Sequence, residues 1–238
     1  PDLKQIFKEH GVFSEEECVE IGIRMGEALN YLDQFKIVHR DIKPGNILID
    51  KNNHIKLIDL GLALSLNTVE GQTQSTKGVG TPNYISPEQA KGRLDIGIRS
   101  DIYSLGATLY FLATGRNVFK GKDAREILLK HVREIPQNPC ELNAELSPEF
   151  AQVLLRSLEK LPENRPSPMD FVNAMEAIKN KENVNAEAPK KVSRLRNRRS
   201  QARSGHRSSG SRLAGARTGA SRVSSSDRRS RSKRLTRR

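Results

Sequence analysis

Most of the side chains that could do chemistry lie in one polar run, His39-Arg40-Asp41-Ile42-Lys43-Pro44-Gly45-Asn46. A second run, Asp59-Leu60-Gly61, follows after a short apolar stretch. The first run contains a carboxylate that can accept a proton and an ammonium group that can neutralise phosphate charge. The amide of Asn46 and the carboxylate of Asp59 are hard oxygen ligands of the kind that Mg²⁺ prefers. Together these groups suit phosphoryl transfer, in which a protein chiefly positions the reactants and stabilises developing charge.

Each of the four side chains has an expected role in that chemistry. Asp41 would accept or orient the proton of an attacking hydroxyl group. Lys43 would neutralise charge on the transferred phosphoryl group. Asn46 and Asp59 would hold Mg²⁺ against the nucleotide phosphates. The alternative interpretation makes Asp41 part of a buried polar turn and Asp59 an ordinary turn carboxylate, but the joint presence of all four groups disfavours it.

These two runs resemble the catalytic loop and the metal-binding loop of eukaryotic-type protein kinases. The resemblance implies ATP and Mg²⁺ as cofactors, with Lys43, Asn46 and Asp59 on the phosphates and the metal and Leu48 under the adenine ring. It also implies that Arg40 pairs with a phosphate on the loop that follows. The candidates for that phosphate, among which the sequence does not choose, are Thr68, Thr73, Ser75 and Thr76.

The resemblance continues into the second half of the chain. Gly80-Thr81-Pro82-Asn83-Tyr84-Ile85-Ser86-Pro87-Glu88 is similar to the substrate-docking end of a kinase activation segment, in the form found in serine/threonine kinases. The resemblance implies that Glu88 pairs with Arg165 in the interior and that Asp101 holds the catalytic-loop backbone. The motifs come in family order over about residues 1–180, and residues 115–166 look most like bacterial serine/threonine kinases.

Two features depart from the family pattern. Leu60 stands where the family usually has Phe, a change that preserves apolar packing. Nothing before His39 supplies a glycine-rich phosphate loop, the strand lysine that contacts the nucleotide phosphates, or the helix glutamate that pairs with it. We therefore expect the small N-terminal lobe to be absent from these 238 residues. By themselves they should bind ATP weakly and transfer phosphate slowly or not at all.

Short apolar strands and helices must position these loops. Residues 47–49 and 55–58, joined by Asp50-Lys51-Asn52-Asn53, predict a β-hairpin between the two functional runs. Residues 62–85 lack periodicity and predict a long functional loop. Leu3, Ile6 and Phe7 share one face of a short helix, and a capping box of Ser14 and Glu17 begins a helix over residues 15–35. Further helices are predicted at 87–91, 100–113, 124–133, 148–158 and 168–179.

Charge divides the chain into two parts. The segment from Ala186 to Arg238 has 18 Lys and Arg against two acidic residues, a net charge of +16, whereas the rest has a net charge of −3. The predicted fold is therefore mainly α, a kinase-like C-terminal lobe over residues 1–182 with a small β-hairpin beside the catalytic loops. Residues 183–238 form an Arg/Ser-rich tail, which we expect to be disordered because it has too few large apolar residues to offset ordering entropy.

The tail allows three functional interpretations, and the change from 14 Lys and 9 Arg in the folded part to 3 Lys and 15 Arg in the tail could instead mark a frameshift or a fused unrelated segment. A solvated extension without a dedicated partner is favoured. Residues 190–238 could instead contact nucleic acid or an acidic surface through phosphate pairing, which would depend strongly on salt. The strings Arg198-Arg199-Ser200 and Arg228-Arg229-Ser230 also present hydroxyl groups beside cations, as an autophosphorylation tail would.

The function expected from the sequence is transfer of the ATP γ-phosphate to Ser or Thr hydroxyl groups of proteins. A kinase-like scaffold without catalysis is the alternative, although such proteins commonly lose one of the four groups at 41, 43, 46 and 59. A small-molecule phosphotransferase is disfavoured by the docking motif. Two isolated cysteines, no signal pattern and no apolar run long enough for a bilayer indicate the cytoplasm, with membrane attachment of a longer parent protein left open.

Overall fold

A computed structural model describes residues 1–59, 64–65 and 81–185 of the chain. The described part is mainly helical with small β elements beside the catalytic loops, which confirms the predicted fold class. Its helices and strands are, in chain order, α1 (Leu3–His10), α2 (Glu15–Gln34), β1 (Ile37–Val38), β2 (Ile47–Ile49), β3 (Ile55–Leu57), β4 (Leu64–Ser65), α3 (Pro87–Ala90), α4 (Ile98–Thr114), α5 (Ala124–Arg133), α6 (Pro148–Ser157) and α7 (Pro168–Asn185).

The helix ends follow local capping chemistry. Ser14 and Glu17 form the predicted capping box at the start of α2, because each side chain satisfies a backbone N–H that the helix leaves unpaired. Helix α4 ends at Gly115, whose φ of 70° places it in the left-handed conformation that glycine tolerates best. Helix α7 was predicted to end at residue 179 but continues to Asn185. It therefore crosses the expected domain boundary at 182/183, and the tail beyond it lies outside the described residues.

Helix α4 is buried along nearly its whole length, and α2, α6 and α7 pack against it. Close approach between helices depends on two glycines. A Cβ atom on Gly26 of α2 would lie 2.6 Å from Cγ2 of Val172 in α7. A Cβ atom on Gly106 of α4 would lie 2.8 Å from Cβ of Ser157 in α6. Any side chain at either position would therefore push the paired helices apart.

The predicted hairpin is present, and its two faces point to different surroundings. Strands β2 and β3 are antiparallel, with Ile47 opposite Leu57 and Ile49 opposite Ile55. Ile47 and Ile49 are buried in the core, whereas Leu48 faces the other side of the hairpin and is half-buried. The period of two along a strand thus turns Leu48 away from the core.

A second antiparallel pair joins β1 to β4, with Val38 opposite Leu64. The sequence did not predict it, because two-residue strands are too short to show a period. Most of the loop predicted at 62–85, including Thr68, Thr73, Ser75 and Thr76, lies outside the described residues. In the described part, no helix combines the length and the apolar character needed to cross a membrane.

Candidate active site

A buried carboxylate, Asp101, anchors the backbone of the catalytic loop. Asp101 of α4 is fully buried, and its two oxygens accept hydrogen bonds from the backbone N–H groups of His39, at 2.7 Å, and Arg40, at 2.8 Å. Burial raises the pKa of Asp101 to about 7, while these two donors act in the opposite direction. Arg40 has a φ of 70°, a conformation that costs free energy in a non-glycine residue and therefore needs such an anchor. The expected role of Asp101 is confirmed.

His39 joins the catalytic loop to the metal-binding run. Its buried ring lies 3.0 Å from the Ile58 carbonyl oxygen through Nε2, and Nδ1 accepts the backbone N–H of Asp41 at 3.3 Å. Burial lowers the pKa of His39, so the ring is neutral, with its proton on Nε2 where the carbonyl can accept it. The carboxylates of Asp41 and Asp59 both act electrostatically on this ring. The ring thus connects the backbone of Asp41 to that of Ile58, the residue before Asp59.

Three of the predicted site residues are in direct contact. The Lys43 ammonium lies 2.5 Å from Oδ2 of Asp41. The Asn46 amide nitrogen donates to the Asp41 carbonyl oxygen at 2.8 Å and to Oδ2 at 3.0 Å. Asn46 is buried, whereas the side chains of Asp41 and Lys43 are 11% and 27% exposed. Asn46 thus holds the cluster on its buried side, whereas Asp41 and Lys43 remain partly accessible to solvent.

The other two predicted residues, Asp59 and Leu48, lie on chain segments next to that cluster. Asp59 follows Ile58 directly, is exposed, and has a φ of 67° that turns the chain at this point. The Ile58 N–H donates to the Asn46 carbonyl oxygen at 2.9 Å, which fixes the start of the metal-binding run beside the cluster. Leu48 lies on the outer face of β2, opposite Lys56.

The docking segment, residues 81–88, is tied to the helical core by a buried ion pair. Both nitrogens at the end of the Arg165 guanidinium donate to the Glu88 carboxylate, at 2.7 and 2.8 Å. The remaining guanidinium N–H groups donate to the carbonyl oxygens of Arg99, Glu159 and Lys160, so all five donors have partners. Ser100 also donates to Glu88. The pair that the resemblance implied is confirmed.

Sequence reasoning missed one residue that links these regions. The Gln89 side-chain amide donates to the Arg40 carbonyl oxygen at 2.9 Å, across 49 positions of sequence. The same side chain accepts from the Ser86 N–H at 3.1 Å in the capping box of α3. The Ser-x-x-Gln pattern could have identified the cap, but it carries no signal for the contact with Arg40.

Comparisons with known proteins agree with this geometry. The family described as protein kinase domain matches residues 1–180. Serine/threonine-protein kinase PknB of Mycolicibacterium smegmatis is 41% identical over 164 residues, which is 68% of this chain and 26% of that protein. PknB of Mycobacterium leprae is 38% identical over 163 residues, 68% of this chain and 26% of that protein.

A probable serine/threonine-protein kinase of Clostridium acetobutylicum, CA_C1728, is 37% identical over 182 residues, 76% of this chain and 27% of that protein. The chain therefore spans about a quarter of the length of the curated relatives that it matches. Since the family match covers about three-quarters of its own length, the chain belongs to the protein kinase family, alongside serine/threonine kinases of bacteria.

Proposed function

We propose that this chain contributes the catalytic lobe of a serine/threonine protein kinase that phosphorylates hydroxyl groups of protein substrates. The observation that carries the proposal is the contact of Asp41 with both Lys43 and Asn46 on a loop that Asp101 anchors. In the reaction the substrate oxygen bonds to the γ-phosphorus, the bond from that phosphorus to the β,γ-bridging oxygen breaks, and ADP leaves. The hydroxyl proton goes to the Asp41 carboxylate.

The hydrogen bonds of Asp41 suit this role. Lys43 and Asn46 both contact Oδ2, which leaves Oδ1 as the oxygen to meet an incoming hydroxyl group. The Lys43 ammonium is then close to the point where negative charge accumulates on the phosphoryl oxygens. The same contacts hold the carboxylate in one rotamer, so little reorganisation is needed at the moment of transfer.

The kinase family uses ATP, usually with a divalent metal ion, and we propose Mg²⁺ as that ion. Both amide hydrogens of Asn46 go to Asp41, which leaves the amide oxygen to face a cation, and Asp59 adds a charged oxygen. Within the described residues, no cluster of three or more His, Cys, Asp or Glu could hold a metal alone. Two protein oxygens completed by phosphates and water are the arrangement that Mg²⁺ favours. When bound, the ion would neutralise phosphate charge, and Leu48 would lie under the adenine ring.

Arg40 supports a second part of the proposal, activation by phosphorylation of the loop after Asp59. Its Nε atom is buried and has no hydrogen-bond partner among the described residues. Burial also lowers the pKa of its guanidinium, so an anionic partner would stabilise the charged form. A phosphate on a nearby hydroxyl group provides such an anion. The candidates remain Thr68, Thr73, Ser75 and Thr76, all outside the described residues.

We also propose a folded kinase part and a separate basic tail, predicted as residues 1–182 and 183–238, although helix α7 carries the folded part on to Asn185. Contact of residues 190–238 with nucleic acid remains a prediction drawn from charge alone. Retention of the isolated tail on duplex DNA at low salt, with release as salt rises, would support it. Absence of retention at low salt would rule it out.

The test of the proposed function is phosphoryl transfer to a Ser/Thr peptide by the full-length protein. Asp41→Asn keeps the size of the side chain but removes the proton acceptor, and we expect kcat to fall by about 10²–10⁴-fold. The control is Asp50→Asn in the hairpin turn, which removes a carboxylate that pairs with Lys56 at 2.9 Å. Equal activity in wild type and Asp41→Asn would remove Asp41 from its role, and an inactive wild type would favour the scaffold alternative.

A further inference from the structure

The peptide group between Arg40 and Asp41 is held on both of its sides by side chains. Its carbonyl oxygen, from Arg40, accepts a hydrogen bond from the Gln89 amide nitrogen at 2.9 Å. Its N–H group, from Asp41, donates to Nδ1 of His39 at 3.3 Å. Because a peptide group is planar, two hydrogen bonds on opposite sides restrict its rotation. The main chain that leads into Asp41 is therefore positioned by Gln89 as well as by His39.

The preceding peptide group has a different anchor. Its N–H group, from Arg40, donates to the buried Asp101 carboxylate at 2.8 Å. Arg40 lies between the two peptide groups with a φ of 70°, which costs free energy in a non-glycine residue. Asp101 thus holds one side of Arg40, and Gln89 holds the other. Among the described residues, loss of the Gln89 donor would leave the 3.3 Å contact with His39 as the remaining hydrogen bond to the peptide group before Asp41.

The oxygen of the same Gln89 amide is bound to the docking segment. It accepts the Ser86 N–H at 3.1 Å and the Ser86 hydroxyl group at 3.0 Å, in the capping box of α3. Ser86 is fully buried, and Glu88 beside it is paired with buried Arg165. An amide whose oxygen is held in this way has its nitrogen aimed in a fixed direction. The docking segment therefore orients the donor that reaches Arg40.

The cap alone does not account for an amide at this position. A Glu side chain would complete the same capping box, since its carboxylate also accepts the N–H group of the N-cap residue. The feature that an amide adds is its N–H donor, and that donor goes to the Arg40 carbonyl oxygen. Gln89 thus has a second contact that is separate from its part in the helix end.

We infer that Gln89 is a positioning residue that couples the docking segment to the catalytic loop, by fixing the peptide group before Asp41. The effect on phosphoryl transfer rests on the proposed function, whereas the coupling itself does not. Gln89 acts through the main chain of Arg40, and the hydroxyl proton still goes to Asp41. Loss of the donor lets that peptide group rotate, so the carboxylate points less often at an incoming hydroxyl group. A folded docking segment is then a condition for efficient transfer.

Two substitutions separate the two halves of the Gln89 amide. Gln89→Glu keeps an oxygen for the Ser86 cap and loses the donor to Arg40, whereas Gln89→Met loses both. The positioning role predicts that both variants are impaired, and a role in the cap alone predicts that only the Met variant is. The control for the added charge is Gln5→Glu in the capping box of α1, where the amide oxygen accepts the Asp2 N–H at 3.2 Å.

The coupling is measured by hydrogen exchange of the Asp41 amide in this chain. We expect exchange to become about three- to tenfold faster in both Gln89 variants, the value of about one hydrogen bond. The Leu105 amide inside buried α4 reports changes in global stability, so the Asp41 rate is taken relative to it. Gln5→Glu should keep the wild-type ratio. A wild-type ratio in Gln89→Glu, whether or not the Met variant changes, would overturn the inference.

The effect on transfer is measured in the full-length protein with a Ser/Thr peptide. Gln89→Glu should lower kcat about three- to tenfold and leave the peptide KM and the ATP KM within about twofold, because the pair of Glu88 with Arg165 remains in place. Gln5→Glu should keep the wild-type kcat. A higher peptide KM at constant kcat would assign Gln89 to the docking surface and overturn its role toward Asp41. An inactive wild type would refute the proposed function instead, and the exchange rates at Asp41 would still decide the coupling.

Discussion

The Asp41 cluster and the Glu88–Arg165 pair both join a carboxylate to a cation, yet they are built differently. Asp41 contacts side chains two and five positions away, and its partner Lys43 is partly exposed. Glu88 contacts Arg165 across 77 positions, and the Arg165 side chain is completely buried. The local pair costs little conformational entropy to form, because its residues are close in sequence, and it stays accessible to substrate. The remote pair requires a complete core, and that core in turn depends on both partners being present.

Because of this difference, the two regions should contribute differently to catalysis and to the free energy of unfolding. A partly exposed ion pair contributes little to folding because water screens its charges. A buried guanidinium with five satisfied donors contributes little net energy over an apolar replacement, but removal of its partner leaves a desolvated charge. Substitutions in the first region should therefore affect catalysis, and those in the second should affect the free energy of unfolding. Four substitutions test that division, from the largest expected effect on stability to the smallest.

The largest loss is expected for Arg165→Met. It leaves the Glu88 carboxylate buried without its cation and should lower the free energy of unfolding by about 3–5 kcal/mol in urea titrations. The control is Arg93→Met, which breaks the exposed pair with Asp95 at 2.7 Å and should leave the free energy of unfolding nearly unchanged. The double variant Glu88→Met, Arg165→Met should recover part of the loss. Equal costs for Arg165→Met and Arg93→Met would erase the contrast between the regions.

The second effect depends on pH and concerns His131. Its pKa is about 4 in the folded protein and near 6.5 when unfolded, so the unfolded chain binds more protons between these values. Stability should therefore rise with pH from about 4 to about 6.5, by up to about 3 kcal/mol from this group. The variant His131→Asn lacks that contribution, and its pH dependence should be flatter by this amount. A wild-type slope in His131→Asn would contradict the prediction.

A smaller effect is expected for Gln89→Leu, at the junction between the two regions. The variant removes the hydrogen bond to the Arg40 carbonyl oxygen and one partner in the cap of α3. The expected cost is about 1–2 kcal/mol in chemical denaturation. Ser86→Ala removes the cap alone and provides the comparison. If Gln89→Leu and Ser86→Ala lower the free energy of unfolding equally, the long-range bond to Arg40 adds nothing to stability.

The smallest effect on stability belongs to Lys43→Met. The Lys43–Asp41 pair is partly exposed, so its removal should change the free energy of unfolding by less than about 1 kcal/mol. Phosphoryl transfer by the full-length protein should nevertheless fall by about 10²–10³-fold, because the charge beside the transferred group is lost. Circular dichroism melts and peptide assays on the same sample measure both quantities. A large loss of stability would place Lys43 among the structural residues.

Local features of the fold could be predicted because their partners are close in sequence. The capping box of Ser14 and Glu17, the hairpin of β2 and β3, and α5 at residues 124–133 all depend on patterns within a few residues. The Glu88–Arg165 pair is a remote contact, and it was predicted only through the family resemblance. The two-residue pairing of β1 with β4 and the last turns of α7 were missed, because neither has a period or a boundary signal in the sequence.

Other contacts could not be predicted because they join residues without any shared local pattern. The Ser147 hydroxyl group donates to Glu15 at 2.6 Å, across 132 positions, and ties the start of α6 to the start of α2. The bond between Gln89 and Arg40 and the contact of the Tyr103 hydroxyl group with His131, at 2.8 Å, are of the same kind. Each depends on which helix faces which in the folded core, and sequence spacing carries no information about that.

The amino-acid sequence by itself determined which reactive groups this protein has. Asp41, Lys43 and Asn46 lie within one turn-forming loop, so covalent connection alone keeps them within reach of one another. Only the tertiary structure decided where the loop that carries these groups is anchored. Asp101 lies 60 or more positions from the backbone groups that it binds, and Glu88 depends on Arg165 in the same way. Such contacts form only when burial of the apolar helix faces offsets the entropy of closing long loops, and this balance is a property of the whole core.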